Sequence, residues 1–272
     1  MSFSISGKTA IVTGAAHGIG LAIARHFLDK GANVMFADMD EDRLENEIGD
    51  LARGDGPVRM FAGDLRQKLT IANLLSATID GFDRVDILVN ASRMMRVSDP
   101  LMVEGDAVDE MLQQNLMTSL RLSQMTAKRM IKQAQGLAES DGPLPQAGCI
   151  INLSSIAATR TQGNLLGYSI ACAAVDQMTR SLAVALAPRG IRVNAVAFGS
   201  VLSGSLQAAL KSEPDWRGLI EAGTPLGRIA PAFELVETVQ YLASDASSFL
   251  TGQILAVDGG RSLLDAVAAP AH

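Results

Sequence analysis

Short apolar runs rich in Val, Ile and Ala alternate along this chain with longer amphipathic stretches. The first run is "TAIVTG" (9–14), and a helical pattern follows it from about Ile19 to Lys30. The alternation recurs at "NVMFAD" (33–38), "VRMFAGD" (58–64), "VDILVN" (85–90), "CIINLSS" (149–155), "IRVNAVA" (191–197) and "QILAVDG" (253–259). Most of these runs are apolar at every position, so they read as strands covered on both faces, as in a parallel sheet built from βαβ units. The pattern predicts an α/β fold with seven parallel strands flanked by helices, in a single domain spanning 1–272. Gly31, Gly190 and Gly252 stand just before strands, where the connecting turns favour positive φ. Two segments break the rhythm. "AQGLAESDGPLPQAG" (134–148) is expected as a surface excursion and 199–228 as a substrate lid, with 265–272 a short tail.

Composition narrows the class. Hydrophobic residues make up 48% and charged residues 19%, which suits a compact core better than disorder. A formal net charge of -6 and the lack of a basic stripe argue against a nucleic-acid partner, whose phosphates require clustered Lys and Arg. His17, His26 and His272 have no metal-ligand spacing, so no metal is expected. Cys149 and Cys172 both lie in apolar surroundings, which fits a reducing compartment better than a disulfide. With no leader pattern and no run of about 20 apolar residues, cytoplasmic residence without membrane insertion is expected.

Candidate chemistry begins at "TGAAHGIG" (13–20), which follows the first strand and opens the first helix. Backbone N–H groups and the positive end of a helix meet there, a ready site for a pyrophosphate. Gly14, Gly18 and Gly20 are spaced G-x-x-x-G-x-G, which by itself is equally the mark of a tight strand-to-helix turn. Asp38 adds weight to the nucleotide reading. It ends the second strand, where a carboxylate accepts hydrogen bonds from an adenosine ribose and repels a 2′-phosphate. No Arg or Lys follows until Arg43, so NAD is expected over NADP. Asp64, ending the third strand, faces either an adenine amino group or the next helix as its cap.

The series "TGAAHGIG", "VDILVN", "INLSS", Tyr168 and "VDGG" (257–260) resembles the short-chain dehydrogenases/reductases, from about Lys8 to Leu264. The resemblance implies a Rossmann-like, doubly wound sheet and an NAD-dependent oxidoreductase acting on an alcohol or carbonyl. It implies a homotetramer joined through two long helices at about Glu110–Lys132 and Tyr168–Ala187, where apolar patterning is heavier than one sheet face needs. It further implies cofactor contacts from Gly14, His17, Gly18, Ile19, Gly20, Asp38, Asp64, Leu65, Asn90, Ala91, Arg93, Tyr168 and Gly199. Three catalytic positions carry over: Asn115, which kinks its helix and holds a water; Ser155, which orients the substrate oxygen; and Tyr168, the general acid/base.

The fourth catalytic position holds Cys172 where the family has lysine. That lysine binds the nicotinamide ribose and lowers the tyrosine pKa from about 10 toward neutrality. A thiol does neither, and is more often a small buried hydrophobe than a reagent. The family's "NNAG" is "NASR" (90–93), placing Ala91 and Arg93 at the nicotinamide end, and its "PG" is Phe198 and Gly199. Asn90, Gly199 and Gly227 still match the family. Three placements of Arg93 are open: supplying the missing cation, blocking the pocket, or pointing into the cleft or solvent. An alternative to catalysis follows, a non-catalytic NAD-binding partner or sensor. "MMR" (94–96) adds soft apolar bulk and another cation near the cleft mouth, which fits an amphipathic substrate without specifying one.

Overall fold

A computed structural model describes residues 2–136, 146–265 and 267. The strands are β1 (Thr9–Thr13), β2 (Asn33–Asp38), β3 (Val58–Ala62), β4 (Ile87–Asn90), β5 (Gly148–Ser155), β6 (Ile191–Phe198) and β7 (Ile254–Val257). They form one parallel sheet in the order β3-β2-β1-β4-β5-β6-β7. Each apolar run of the sequence therefore holds a strand. The two sides of the sheet are built by the period-2 alternation of side chains. Val12, Phe36, Ile151 and Val196 face one layer, while their neighbours Ile11, Met35, Ile150 and Val193 face the other.

The connecting helices cover both layers. On the first side lie α1 (Gly18–Asp29), α2 (Glu41–Ala52) and α9 (Ala232–Ala243), through Ile23, Phe27, Leu44, Leu235 and Val239. On the second lie α3 (Lys68–Phe82), α5 (Thr118–Gln135) and α6 (Leu166–Leu186), through Ile71, Leu74, Leu122, Met130 and Ala183. Burial of each such large side chain contributes about 1.5–3 kcal/mol before entropy is counted. A four-residue helix α4 (Val108–Met111) and a π-helical turn, Leu112–Met117, precede α5. Between β6 and α9 the expected lid segment forms α7 (Gly204–Ser212) and α8 (Asp215–Ala222).

Strand order reverses between β1 and β4, because β2 and β3 lie to one side and the later strands to the other. In open parallel sheets ligands bind in the crevice outside the strand C-termini at such a reversal. Thr13, Asp38, Asn90, Ser155 and Phe198 end their strands at that edge, with Ser155 paired in register to Phe198.

One expectation needs adjustment. The apolar surplus predicted on both long helices occurs on α6 alone, where Ile170 and Val184 are exposed. On α5 the apolar side chains Leu122, Ala127 and Met130 are consumed by the sheet, leaving no large exposed one among the described residues. Residues 163–189 form a stretch long and apolar enough to cross a membrane by length and composition, yet α6 within it packs on the sheet through Ala183 and Leu182. Of the predicted excursion at 134–148, positions 137–145 lie outside the described residues, as does most of the tail 265–272.

Candidate active site

The nucleotide end is built on the glycine loop. Helix α1 starts at Gly18 after His17, whose side chain makes no capping bond, and no acid occupies the first turn. The first-turn N–H groups thus remain without a side-chain partner, which is what an anion needs. Gly14 has φ +66° and its Cα faces the Ser92 backbone so closely that a Cβ would come within 2.9 Å. A Cβ on Gly20 would lie 2.1 Å from the Gly14 carbonyl oxygen. That oxygen is backbone and cannot step aside. Gly20→Ala is therefore expected to cost about 1–3 kcal/mol of stability and at least tenfold in nucleotide affinity, read by urea denaturation and NADH titration.

Asp38 is buried, and its carboxylate accepts from the Ala16 N–H at 3.0 Å and the Asp40 N–H at 3.1 Å. A carboxylate has about four acceptor positions, so half remain for sugar hydroxyls. Arg43, the nearest cation in sequence, is paired to Asp40 at 3.1 Å. Gly14, Asp38, Gly63, Asp64, Ser92 and Gln114 line one cleft, and these residues fit the adenosine half of a dinucleotide. Asp64 requires correction. Both its oxygens are taken by the Arg66 guanidinium at 2.8–3.1 Å, which holds the carboxyl below its ordinary range. It therefore presents a bridged ion pair to the cleft rather than a free acceptor. Nor does it cap α3, whose N-terminal flank is Gln67. Leu65 beside it is buried.

Sequence reasoning missed Thr13. Its hydroxyl accepts from the N–H groups of Ala91 and Ser92, both at 3.0 Å, and so ties the segment after β4 to the glycine loop. The Asn90 side chain is engaged within the protein. Its buried side-chain amide donates to Ser123 Oγ at 3.0 Å and Asn152 Oδ1 at 2.7 Å, and Asn152 continues to Thr179. A buried amide must be satisfied, and this one is used to stitch β4, β5, α5 and α6 together.

The reacting end gathers around Tyr168, which is only 3% exposed. Gly167 allows α6 to begin in contact with the backbone of Ala107 and Val108. Cys172 shares a buried cluster with Tyr168, and Ser155 and Cys172 are the uncharged side chains that act on its hydroxyl. Asn115 sits in the π-helical turn, which is the predicted kink. Its side chain accepts from the Met94 N–H and donates to the Met94 carbonyl, both at 2.8 Å. The fixed segment after β4 is its partner, so its side chain positions the loop that carries Arg93.

Arg93 remains exposed while its guanidinium lies over Phe198 and Tyr168. Its Nη1 donates to the Ser154 carbonyl at 3.0 Å, and its Cζ lies 4.1 Å from the Phe198 ring centroid and 5.7 Å from that of Tyr168. Gly199, after Phe198, packs against Ile156 with no room for a Cβ. Burial raises the Tyr168 pKa above its ordinary value, and the Arg93 charge works against that rise without cancelling it. Burial likewise pushes the Cys172 thiol up to about 11, Arg93 again opposing. One turn beyond Cys172, the buried Asp176 carboxyl is raised by desolvation and has one oxygen without a partner.

A family described as enoyl-(acyl carrier protein) reductase matches residues 14–262. The chain is 34% identical to the cis-4-hydroxycyclohexanecarboxylate dehydrogenase of Sinomonas cyclohexanicum, over 96% of this chain and 98% of that one. It is 32% identical to the 3-oxoacyl-(acyl-carrier-protein) reductase of Salmonella typhimurium, over 96% and 100%. Among solved structures, a 7α-hydroxysteroid dehydrogenase complexed with NADH and 7-oxo glycochenodeoxycholic acid superposes with a TM-score of 0.84 at 28% identity, covering 95% of each chain. A gluconate 5-dehydrogenase from Burkholderia cenocepacia in complex with NADP and tartrate gives 0.85 at 25%, covering 97% and 98%.

Proposed function

Because the chain belongs to the short-chain dehydrogenase/reductase family, we propose that it is an NAD(H)-dependent oxidoreductase interconverting an alcohol and a carbonyl, with Tyr168 as the proton donor in reduction. The observation that carries this reading is the meeting of Ser155, Tyr168 and Cys172 at the strand edge that also holds the glycine loop. The bound nicotinamide supplies or accepts a hydride. Gly14, Gly18, Ile19 and Gly20 hold the pyrophosphate, Asp38 the adenosine ribose, and Ser155 the substrate oxygen. Tyr168 gives that oxygen its proton. Asp38 disfavours a 2′-phosphate, and Arg66, the one cation lining the adenosine cleft, is engaged by Asp64. A small-molecule substrate with an apolar body suits the segment that follows Arg93, where Met95 is exposed. A homotetramer joined through α5 and α6 is part of this reading, supported on α6 by Ile170 and Val184. So is the role of 199–228 as a lid.

The test is a calorimetric titration with NADH and NADPH, followed by NADH oxidation over a panel of carbonyl compounds. NADH is expected to bind at least tenfold more tightly, a gap of about 1.4 kcal/mol, and to be oxidised. Equal affinities would overturn the cofactor assignment. Tight binding with no turnover on any carbonyl would replace the enzyme by a nucleotide-binding partner or sensor.

A further inference from the structure

We propose that Arg93 is the positive charge that partly offsets the burial of Tyr168 in this chain, and that Phe198 is the positioning residue that holds it there. The inference rests on the reading of Tyr168 as the proton donor. Its foundation is a convergence. Positions 93, 172 and 198 are separate departures from the family pattern, on a loop, a helix and a strand end. In the fold they meet at one point, with the Arg93 guanidinium between the rings of Phe198 and Tyr168 and Cys172 against the Tyr168 hydroxyl.

Each change makes sense only with the others. A lysine at 172 and an arginine at 93 would bring two cations to one phenol, and like charges so close repel. Cys172 removes that conflict. A guanidinium is planar and weakly hydrated, so it stacks on an aromatic face as an ammonium does less well. Phe198 presents such a face at 4.1 Å, and the Ser154 carbonyl fixes the other side of the fork at 3.0 Å. A proline at 198 would offer no ring of this kind. The charge arrives from the loop after β4 instead of from one turn along α6. It is permanent, since arginine does not deprotonate in proteins.

The groups facing Tyr168 are few. Ser155 approaches from the end of β5 and Cys172 from α6, with Asp176 one turn further acting on Cys172. Ala107 and Met111 on the other side are uncharged. Among the described residues Arg93 is the one positive charge that acts on the phenol. Its removal therefore takes away the larger of the two influences that oppose burial, leaving Ser155.

The experiment uses the scarcity of tyrosines. The chain has two, Tyr168 and Tyr241, and Tyr241 stacks on Phe3 away from the cleft. In a Tyr241→Phe background, difluorotyrosine incorporated biosynthetically reports on position 168 alone, and its more acidic phenol titrates at lower pH, where the fold is kept. Fluorine NMR of the cofactor-free protein follows the ionisation. Arg93→Gln is expected to lower the phenolate fraction at a given pH about tenfold relative to the parent, and Arg93→Lys to retain most of it. Phe198→Leu should shift it in the same direction as Arg93→Gln, because the guanidinium loses its platform. An Arg93→Gln profile that overlays the parent, or one with more phenolate, overturns the proposal. Should circular dichroism show that Arg93→Gln is unfolded, Phe198→Leu decides, and an unmoved profile there counts against it. An Arg93→Gly variant that binds NADH more tightly and turns over faster also overturns it, by making the side chain a plug. Shifted profiles without turnover on any carbonyl would leave the role of Arg93 standing and remove the enzyme reading, whereas turnover with unmoved profiles would do the reverse.

Discussion

Tyr168→Phe lowers the single-turnover rate of carbonyl reduction about a thousandfold, within the 10²–10⁴ range typical of a lost general acid. The substitution removes one oxygen from a ring that is 3% exposed, so packing against Ala107, Met111 and Ala171 is preserved. What disappears is the hydroxyl on which Ser155, Cys172 and Arg93 act. Neither Ser155 nor Cys172 replaces it. A serine hydroxyl is a far weaker acid, and the Cys172 thiol, at about 11, is a weak hydrogen-bond donor held by burial. NADH binding should suffer much less, because the glycine loop and Asp38 are untouched. Stopped-flow absorbance of NADH separates the two effects, and a loss below tenfold would remove Tyr168 from the proton transfer.

The second large effect is the pH dependence of alcohol oxidation. Oxidation requires Tyr168 as phenolate and reduction requires it protonated. At an ordinary phenol pKa of about 10, the phenolate is about one part in a thousand at pH 7, equivalent to about 4 kcal/mol. Burial raises Tyr168 above that value, so the phenolate fraction is smaller still and the acid form dominates throughout the neutral range. Oxidation is therefore expected to rise about tenfold for each pH unit from 7 to 9, a hundredfold in all, while reduction stays flat. The double substitution Arg93→Gly and Cys172→Lys moves the positive charge from the loop after β4 to α6, one turn beyond Tyr168. It should bring the phenol toward neutrality and flatten the oxidation profile above its new midpoint, provided the longer side chain is accommodated beside Tyr168.

The strands were legible because a parallel strand buried on both faces is apolar at every position. "CIINLSS" (149–155) and "IRVNAVA" (191–197) fall within one residue of β5 and β6 at either end. The loop "TGAAHGIG" and the pair Ser155 and Tyr168 were legible for a different reason, since their chemistry is set by local spacing. What escaped depends on neighbours brought together only by the fold. Thr13 ties down Ala91 and Ser92 across two strands, and Arg66 occupies Asp64 from the start of the next segment. Asn90 was read as a ligand because its motif borders the cofactor, but the side chain is spent on Ser123 and Asn152. The direction of Arg93 was open in the sequence, because it is decided by Phe198 and the Ser154 carbonyl on other strands. The polarity of the outer face of α5 was misjudged for a similar reason. Its apolar residues look surplus in a helical pattern until the sheet is present to consume them.

The most direct test of the account, a buried Tyr168 that works as a proton donor without a helix lysine, is the pH profile of single-turnover rates in both directions for the native chain. The account predicts reduction unchanged from pH 7 to 9 and oxidation rising about tenfold per pH unit over the same range. Oxidation already flat from pH 7 would contradict it, because Tyr168 would then be ionised near neutrality as though a full complement of positive charge stood beside it.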